Sequence, residues 1–237
     1  MVHLSCLPAD ALLVDFKRPA RSCCMHATRI IAIRHGETSW NVDARIQGHL
    51  DIPLNDTGLW QAQRTGEALA DEHFDAIYSS DLQRALSTAQ AVGQATDCSV
   101  QPDTGLRERC FGSFEGRIFK EIETSHPEQA LRWRKRDPDF VPDDGGESLY
   151  MLRGRIQHTV DRLAAQHIGG QIALVAHGGV MDMLYRLATR QDLQAPRSWE
   201  LGNAAINRLL WTPEGLTLVG WGDVSHLASV SRDEFVS

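Results

Sequence analysis

The sequence predicts an α/β fold on a mostly parallel sheet, and three observations predict it. The apolar run Ile30-Ile31-Ala32-Ile33 ends abruptly in Arg34-His35-Gly36, and a second, Ile172-Ala173-Leu174-Val175-Ala176, ends in His177-Gly178-Gly179. Between them, apolar residues recur at helical spacing around residues 59–70, 82–92 and 149–163. Continuous apolar runs suit strands buried on both faces, and helices between them supply the covering layers. Ligands of open α/β sheets bind outside the carboxyl ends of the strands, so both Arg-His and His-Gly pairs stand where chemistry is expected.

Composition bounds the rest. At 237 residues the chain can bury one substantial core and demands no second domain. A formal charge of -7 argues against a general nucleic-acid binder, which needs cationic faces, but leaves room for a local cationic pocket. No apolar run reaches the length of a membrane span. Cys6, Cys23, Cys24, Cys98 and Cys110 are odd in number with no CxxC spacing, and read as reduced thiols of a cytoplasmic protein. Residues 1–27 are expected to be an extension outside a domain at 28–237. In that extension Lys17 and Arg18 follow the weak apolar patch, where a secretory signal would place them ahead of it, and Met25 is a candidate natural start.

In order, Arg29 to Ile33 form the first strand. Gly36 lets the backbone turn closely, and Asn41 can supply an amide donor. An imidazole beside a guanidinium suits a phosphoryl group, the cation neutralising it while a ring nitrogen attacks; the tripeptide alone is equally what a chance loop contains. Gln47 to Leu54 read as a loop over the strand end. Asp56 or Thr57 is the expected cap of a helix with Leu59, Ala62, Gly66, Leu69 and Ala70 packed on the sheet. Ala76 to Tyr78 form a second strand, and Asp81 is the expected cap of a helix burying Leu82, Ala85, Leu86, Ala89 and Val92. Arg84, in its first turn, is either a second phosphate ligand or a solvated arginine.

Cys98 to Val100 suggest a third strand. Glu108, between Arg107 and Arg109, is a surface ion pair or a poised acid for a leaving alkoxide, since a carboxyl beside a phosphate holds its proton more readily. Cys110 reads as a packing residue. Residues 117–145 read as two short helices and a loop, with Arg132, Arg134, Lys135 and Arg136 around Trp133 as a solvated face or a lid over an anionic substrate. Glu147 and Ser148 open a long helix burying Leu149, Leu152, Ile156, Val160 and Leu163. The strand at 172–176 leads into a helix from Val180 to Ala188, whose amino terminus favours an anion. Ala205 to Trp211 and Leu216 to Trp221 read as a closing hairpin. His49, His73, His126, His158, His167 and His226 read as surface or packing residues.

Taken together, Arg34-His35-Gly36-Glu37-Thr38 with Trp40-Asn41, Ser79-Ser80-Asp81-Leu82 with Arg84-Ala85 and Thr88-Ala89, Leu106 with Glu108-Arg109, Gly146-Glu147-Ser148 and His177-Gly178 resemble the histidine phosphatase superfamily, also called phosphoglycerate mutase-like, over Thr28 to Leu227. The resemblance implies a three-layer α/β/α fold, with no metal and no cofactor. It implies that His35 is phosphorylated, that Arg34, Arg84 and His177 bind the phosphoryl group with Asn41 assisting and Gly178 beside it, and that Glu108 protonates the leaving oxygen and then activates water. A small phosphorylated metabolite is the partner expected, not nucleic acid or membrane; neither the particular substrate nor an oligomeric state follows. The short stretch Arg117 to Gly146, the Gly179 after Gly178, and Phe111 to Gly116 resemble the phosphatase branch. The second reading is a 2,3-bisphosphoglycerate-dependent phosphoglycerate mutase, and the third a non-catalytic phosphate-binding domain, which would need neither a nucleophile nor an acid.

Overall fold

A computed structural model describes residues 27–228. Six strands form one sheet: β1 (Thr28–Arg34), β2 (Ala76–Ser79), β3 (Val100–Pro102), β4 (Gln171–Ala176), β5 (Ile206–Thr212) and β6 (Gly215–Asp223), in spatial order β3-β2-β4-β1-β5-β6. The first four run parallel, and β5 and β6 pair antiparallel, the hairpin at the sheet's end that the sequence predicts.

Because side chains alternate along a strand, one apolar run feeds two cores. Ile30 and Ala32 of β1 join Ile172, Leu174 and Ala176 of β4 on one face, under helices α6 (Leu149–Ala164) and α7 (Gly178–Thr189). Ile31 and Ile33 join Ala173 and Val175 on the other, with Ala85, Ala89 and Val92 of helix α3 (Gln83–Thr96). This is the three-layer arrangement, with β1 and β4 buried on both sides. All five apolar residues expected on the inner stripe of α6 are buried, and Ser148 caps it by accepting from the Met151 amide. A third core, Phe114, Ile122, Ala130 and Phe140, lies under α4 (Phe119–Ser125) and α5 (Pro127–Arg134), the two short helices expected between 117 and 145.

Several local expectations need correction. Helix α2 (Asp56–Ala68) is capped by Asn55, whose side chain accepts from the Gly58 amide at 2.8 Å, and not by Asp56 or Thr57. Asn55 also donates to the Glu37 carboxylate at 2.8 Å, so one side chain joins the helix start to the loop after β1. α2 packs chiefly against α3 through the small residues Gly58, Ala62, Thr65 and Gly66, while Leu69, at its end, joins the core on the sheet as expected; Leu59 and Ala70 are exposed. Asp81 does not cap α3. Its carboxylate is taken by Arg107 at 2.7 and 2.5 Å, and Asp51, from the loop before α2, accepts from the Gln83 amide at 2.7 Å in its place. The third strand begins at Val100, later than expected, and α7 begins at Gly178, earlier. The expectation for the extension concerns residues that, Ala27 apart, lie outside those described, as do Cys6, Cys23 and Cys24.

The loop after β1 and the start of α2 approach so closely that a Cβ on Gly58 would lie 2.0 Å from the Glu37 carbonyl oxygen. Neither backbone can give way cheaply. Gly58→Ala is therefore expected to lose about 1–3 kcal/mol of stability in urea unfolding with an unchanged m-value.

Candidate active site

Strand register builds the site. β1 and β4 pair with Arg34 opposite Ala176, so the next residues, His35 and His177, emerge side by side with ring centroids 5.2 Å apart. The ladder continues one step further, the His35 amide donating to the Ala176 carbonyl at 2.9 Å. β2 ends at the same edge, and Arg84 rises from the first turn of α3 beside it. A cavity of about 160 Å³ lies among Arg34, His35, Asn41, Arg84 and Glu108. Thus Arg34, His35, Asn41, Arg84 and Glu108 share one cavity, with His177 against His35. Gly178 backs Arg34: a Cβ there would sit 3.6 Å from the guanidinium carbon.

His35 is 2% exposed, and its Nδ1 lies 2.6 Å from the Gly36 carbonyl oxygen. A carbonyl only accepts, so Nδ1 carries the proton and the neutral ring keeps its lone pair on Nε2. Burial, then the Arg34 and Arg84 guanidiniums, hold His35 well below the usual imidazole range. Burial, then Arg84, His35 and Arg34, do the same to His177, and neither of its ring nitrogens has a hydrogen-bond partner among the described residues.

The two arginines are oriented by carbonyls while keeping one N–H unmatched. Arg84 donates to Leu50 and Gly48, both at 2.8 Å, and Arg34 donates to Leu201; the Nε of each is buried without a partner. Burial is the first cause lowering both guanidiniums from their usual range, with the Glu108 carboxylate opposing it. Asn41 forms a reciprocal cap with Thr38, its Oδ1 accepting from the Thr38 amide at 3.0 Å, so its amide N–H groups remain as donors.

Glu108 is fixed at both ends. Its carboxylate accepts from the Gly179 amide at 3.0 and 3.1 Å and the Arg109 amide at 2.7 Å, so the anion at the start of α7 is the protein's own. A Cβ on Gly179 would lie 2.2 Å from that carboxylate. Its carbonyl accepts from His49 Nε2 at 2.8 Å and Arg155 at 3.1 Å. Arg155 also grips Gly105 and Arg107 carbonyls at 2.9 Å and Glu147 at 2.7 Å through two N–H groups. Burial pushes the Cys110 thiol up, in keeping with a packing role.

Sequence reasoning missed four supports. His49 bonds Glu108 although it reads as a surface residue, and Arg155 and Asp81 brace the Glu108 loop. Asn203 donates to the His35 carbonyl at 3.0 Å from a loop with no sequence signal. Asp81 lies within a quoted motif and could have been suspected; His49, Arg155 and Asn203 become visible only in three dimensions. The basic cluster divides between its two readings: Arg132 and Arg134 pair with Asp137 and Glu123 on the surface and Lys135 is exposed, whereas Arg136 turns inward to Asp182 at 2.7 Å. Arg136, Trp133, Phe111 and Arg34 line a second chamber of about 480 Å³ adjoining the first. Among the described residues no group of three or more His, Cys, Asp or Glu is placed to hold a metal ion.

Comparison with known proteins places the whole chain. The family model for the histidine phosphatase superfamily (branch 1) matches residues 30–224. Phosphoglycerate mutase-like protein 4 of Arabidopsis thaliana is 40% identical over 84% of this chain and 86% of its own length. A metal-independent phosphoserine phosphatase of the same plant is 37% identical over 86% and 84%. The solved structure of an Entamoeba histolytica phosphoserine phosphatase variant, in complex with phosphoserine, superposes with a TM-score of 0.76 at 30% identity, covering 85% of this chain and 100% of that one. With a match that runs from β1 into β6, the chain belongs to the histidine phosphatase superfamily, branch 1.

Proposed function

We propose that the protein is a phosphomonoester hydrolase that works through a phosphohistidine on a small phosphorylated metabolite. The observation that carries this reading is His35: a buried neutral imidazole whose Nδ1 is committed to a carbonyl, with its Nε2 lone pair facing two arginines and a second histidine. Phosphate binding alone needs donors; it has no use for a lone pair.

In the first step His35 Nε2 attacks phosphorus in line while the ester oxygen leaves on the opposite side. The Gly36 carbonyl steadies the positive charge that grows on the ring. Arg34 Nε, Arg84 Nε, His177 and the Asn41 amide donate to the phosphoryl oxygens, and because their positions are fixed beforehand they stabilise the transition state without reorganising. Glu108, protonated beside the bound phosphoryl dianion, passes that proton to the leaving alkoxide. In the second step it takes one from water, which attacks phosphorus, releases inorganic phosphate and restores the imidazole. On this reading the domain spans residues 28–237 and the protein works in the cytoplasm, a location supported by the thiols of Cys98 and Cys110, unpaired among the described residues. No helix of the described residues is long and apolar enough to cross a membrane.

The similar phosphoserine phosphatases make O-phosphoserine the first substrate to assay. The mutase reading has its support in the relative named as phosphoglycerate mutase-like, and 3-phosphoglycerate assayed with and without 2,3-bisphosphoglycerate separates the two. Phosphate release is expected to outpace isomerisation; the reverse outcome overturns the hydrolase reading.

With p-nitrophenyl phosphate, His35→Ala is expected to lower kcat by at least about a thousandfold and Glu108→Gln by about 10²–10⁴-fold. A His35→Ala variant that retains activity would remove the nucleophile from the scheme. Gly179→Ala meets a side-chain end, the Glu108 carboxylate, and no backbone, so that group can swing aside: Tm should stay near that of the unmodified protein while kcat falls about tenfold or more through the displaced carboxylate. A Gly179→Ala variant with full activity would show that the Glu108 position is unimportant.

Holding His35 and His177 neutral has a cost that depends on pH. Below about pH 6.5 the unfolded chain protonates both imidazoles and the folded protein does not, so stability falls as pH falls, by up to about 1.4 kcal/mol per pH unit for each ring. Calorimetric Tm should therefore decline between about pH 7 and pH 5, and less steeply in His177→Asn. An equal slope in the variant would mean that His177 charges freely in the folded state.

A further inference from the structure

The second chamber, about 480 Å³ beyond Arg34, carries on its wall a group that the chemistry above does not use. Asp182 stands one turn into α7, on the helix whose Gly179 amide holds Glu108, and is 5% exposed. Its Oδ2 accepts from Arg136 at 2.7 Å and Arg186 at 3.0 Å. Its Oδ1 is buried and accepts from none of the described residues.

A buried carboxylate oxygen left without a donor costs free energy, and such groups in native proteins call for a reason. Arg34 Nε and the His177 nitrogens, similarly unmatched, have one: they surround the place of the phosphoryl group. Asp182 Oδ1 cannot share that reason, because it only accepts and would repel a phosphoryl oxygen. What it suits is a donor on the other half of the substrate.

We propose that Asp182 is a specificity-determining residue that accepts a hydrogen bond from the leaving group, and that the enzyme takes phosphomonoesters whose alcohol bears a hydroxyl or ammonium donor close to the ester carbon. The inference rests on the hydrolase reading. Two arginines hold the acceptor: Arg136 is tied to the Leu193 carbonyl at 2.7 Å and Arg186 to the Ala195 carbonyl at 2.9 Å, so Oδ2 is pinned and Oδ1 cannot turn away. Such a fixed group adds discrimination with little further loss of freedom on binding. Arg197, on the same chamber and without a carboxylate in ion-pair range among the described residues, is placed for an acidic substituent of the same leaving group.

Three substrates with one carbon skeleton test this: O-phosphoserine, with an ammonium on the middle carbon; 3-phosphoglycerate, with a hydroxyl; and 3-phosphonooxypropanoate, with neither. The unmodified protein is expected to show kcat/KM about 10–100-fold higher for one or both donor-bearing acids than for 3-phosphonooxypropanoate. Which of the two is preferred tells ammonium from hydroxyl recognition. In Asp182→Asn the arginines, which only donate, will claim the amide oxygen, and the NH₂ then stands where Oδ1 stood. The preference for donor-bearing acids should collapse towards one, with each rate divided by the same variant's rate on p-nitrophenyl phosphate so that any loss of folded protein cancels. Equal kcat/KM for all three acids in the unmodified protein, or an unchanged ratio in Asp182→Asn, overturns the role of Asp182 and leaves the hydrolase standing. No phosphate release from any of the four compounds overturns both.

Discussion

The whole site depends on placing two guanidiniums and two imidazoles at one dry sheet edge without a carboxylate to neutralise them all. Burying a charge is costly unless it is paired, and four cations there would not be tolerated. The protein meets this in two ways. Both histidines stay neutral, and Arg34 and Arg84 direct N–H groups at backbone carbonyls, whose dipoles solvate the charge without cancelling it. Glu108 is a carboxylate that both arginines feel, and its oxygens are occupied by the amides of Gly179 and Arg109. On the proposed mechanism a phosphoryl dianion completes this set, so the same unmatched N–H groups that cost stability contribute to binding and to transition-state stabilisation.

The second constraint is the separation of the proposed nucleophile, His35, from the proposed acid, Glu108. His35 is delivered by the sheet, which is rigid, whereas Glu108 comes from a loop with no sheet hydrogen bonds of its own. Side chains replace the ladder there. Asp81 holds Arg107, Arg155 holds the carbonyls of 105, 107 and 108, and His49 holds the last of these again. Charge-assisted bonds suit this task because each is stronger than a neutral one and its geometry is directional. The close packing of Gly179 then sets where the carboxylate ends, which couples the acid to the same helix that follows His177.

These two constraints explain what could be read from the sequence. Strands ending in Arg-His-Gly and His-Gly-Gly were legible because parallel sheets need continuous apolar runs, and because polar residues at their ends interrupt the pattern sharply. The stripe of α6 was legible for the same reason of periodicity. Caps were not: Asn55 and Asp51 take the roles expected of Asp56 and Asp81, since any nearby acceptor that reaches an open amide will serve and Asp81 is more strongly claimed by Arg107. α2 misled because Leu59 fits a helical repeat yet faces water, while the buried face is made of small residues whose burial signals close approach to another helix. Arg155 and Asn203 act across long separations in the chain, and no local pattern records them.

Charge in the second chamber bears on the choice between hydrolysis and transfer. The chain is acidic overall, yet Arg34, Arg109, Arg136 and Arg197 face this space, and Arg109, although burial pushes it down to about 10, keeps its charge at neutral pH. Arginines alone would welcome any second anion, a second phosphoryl group included. Asp182 works against that: its unmatched oxygen repels a ligand that brings only acceptors and favours one that brings a donor along with its acid group. Discrimination by a built-in repulsion of this kind is how binding sites exclude close competitors. A bisphosphate ester bound at His35 would set its other phosphoryl group in this chamber, against the carboxylate, whereas a singly phosphorylated amino or hydroxy acid meets both signs of charge. On the proposed role of Asp182, this wall favours such a leaving group over the bisphosphate that a mutase cycle requires.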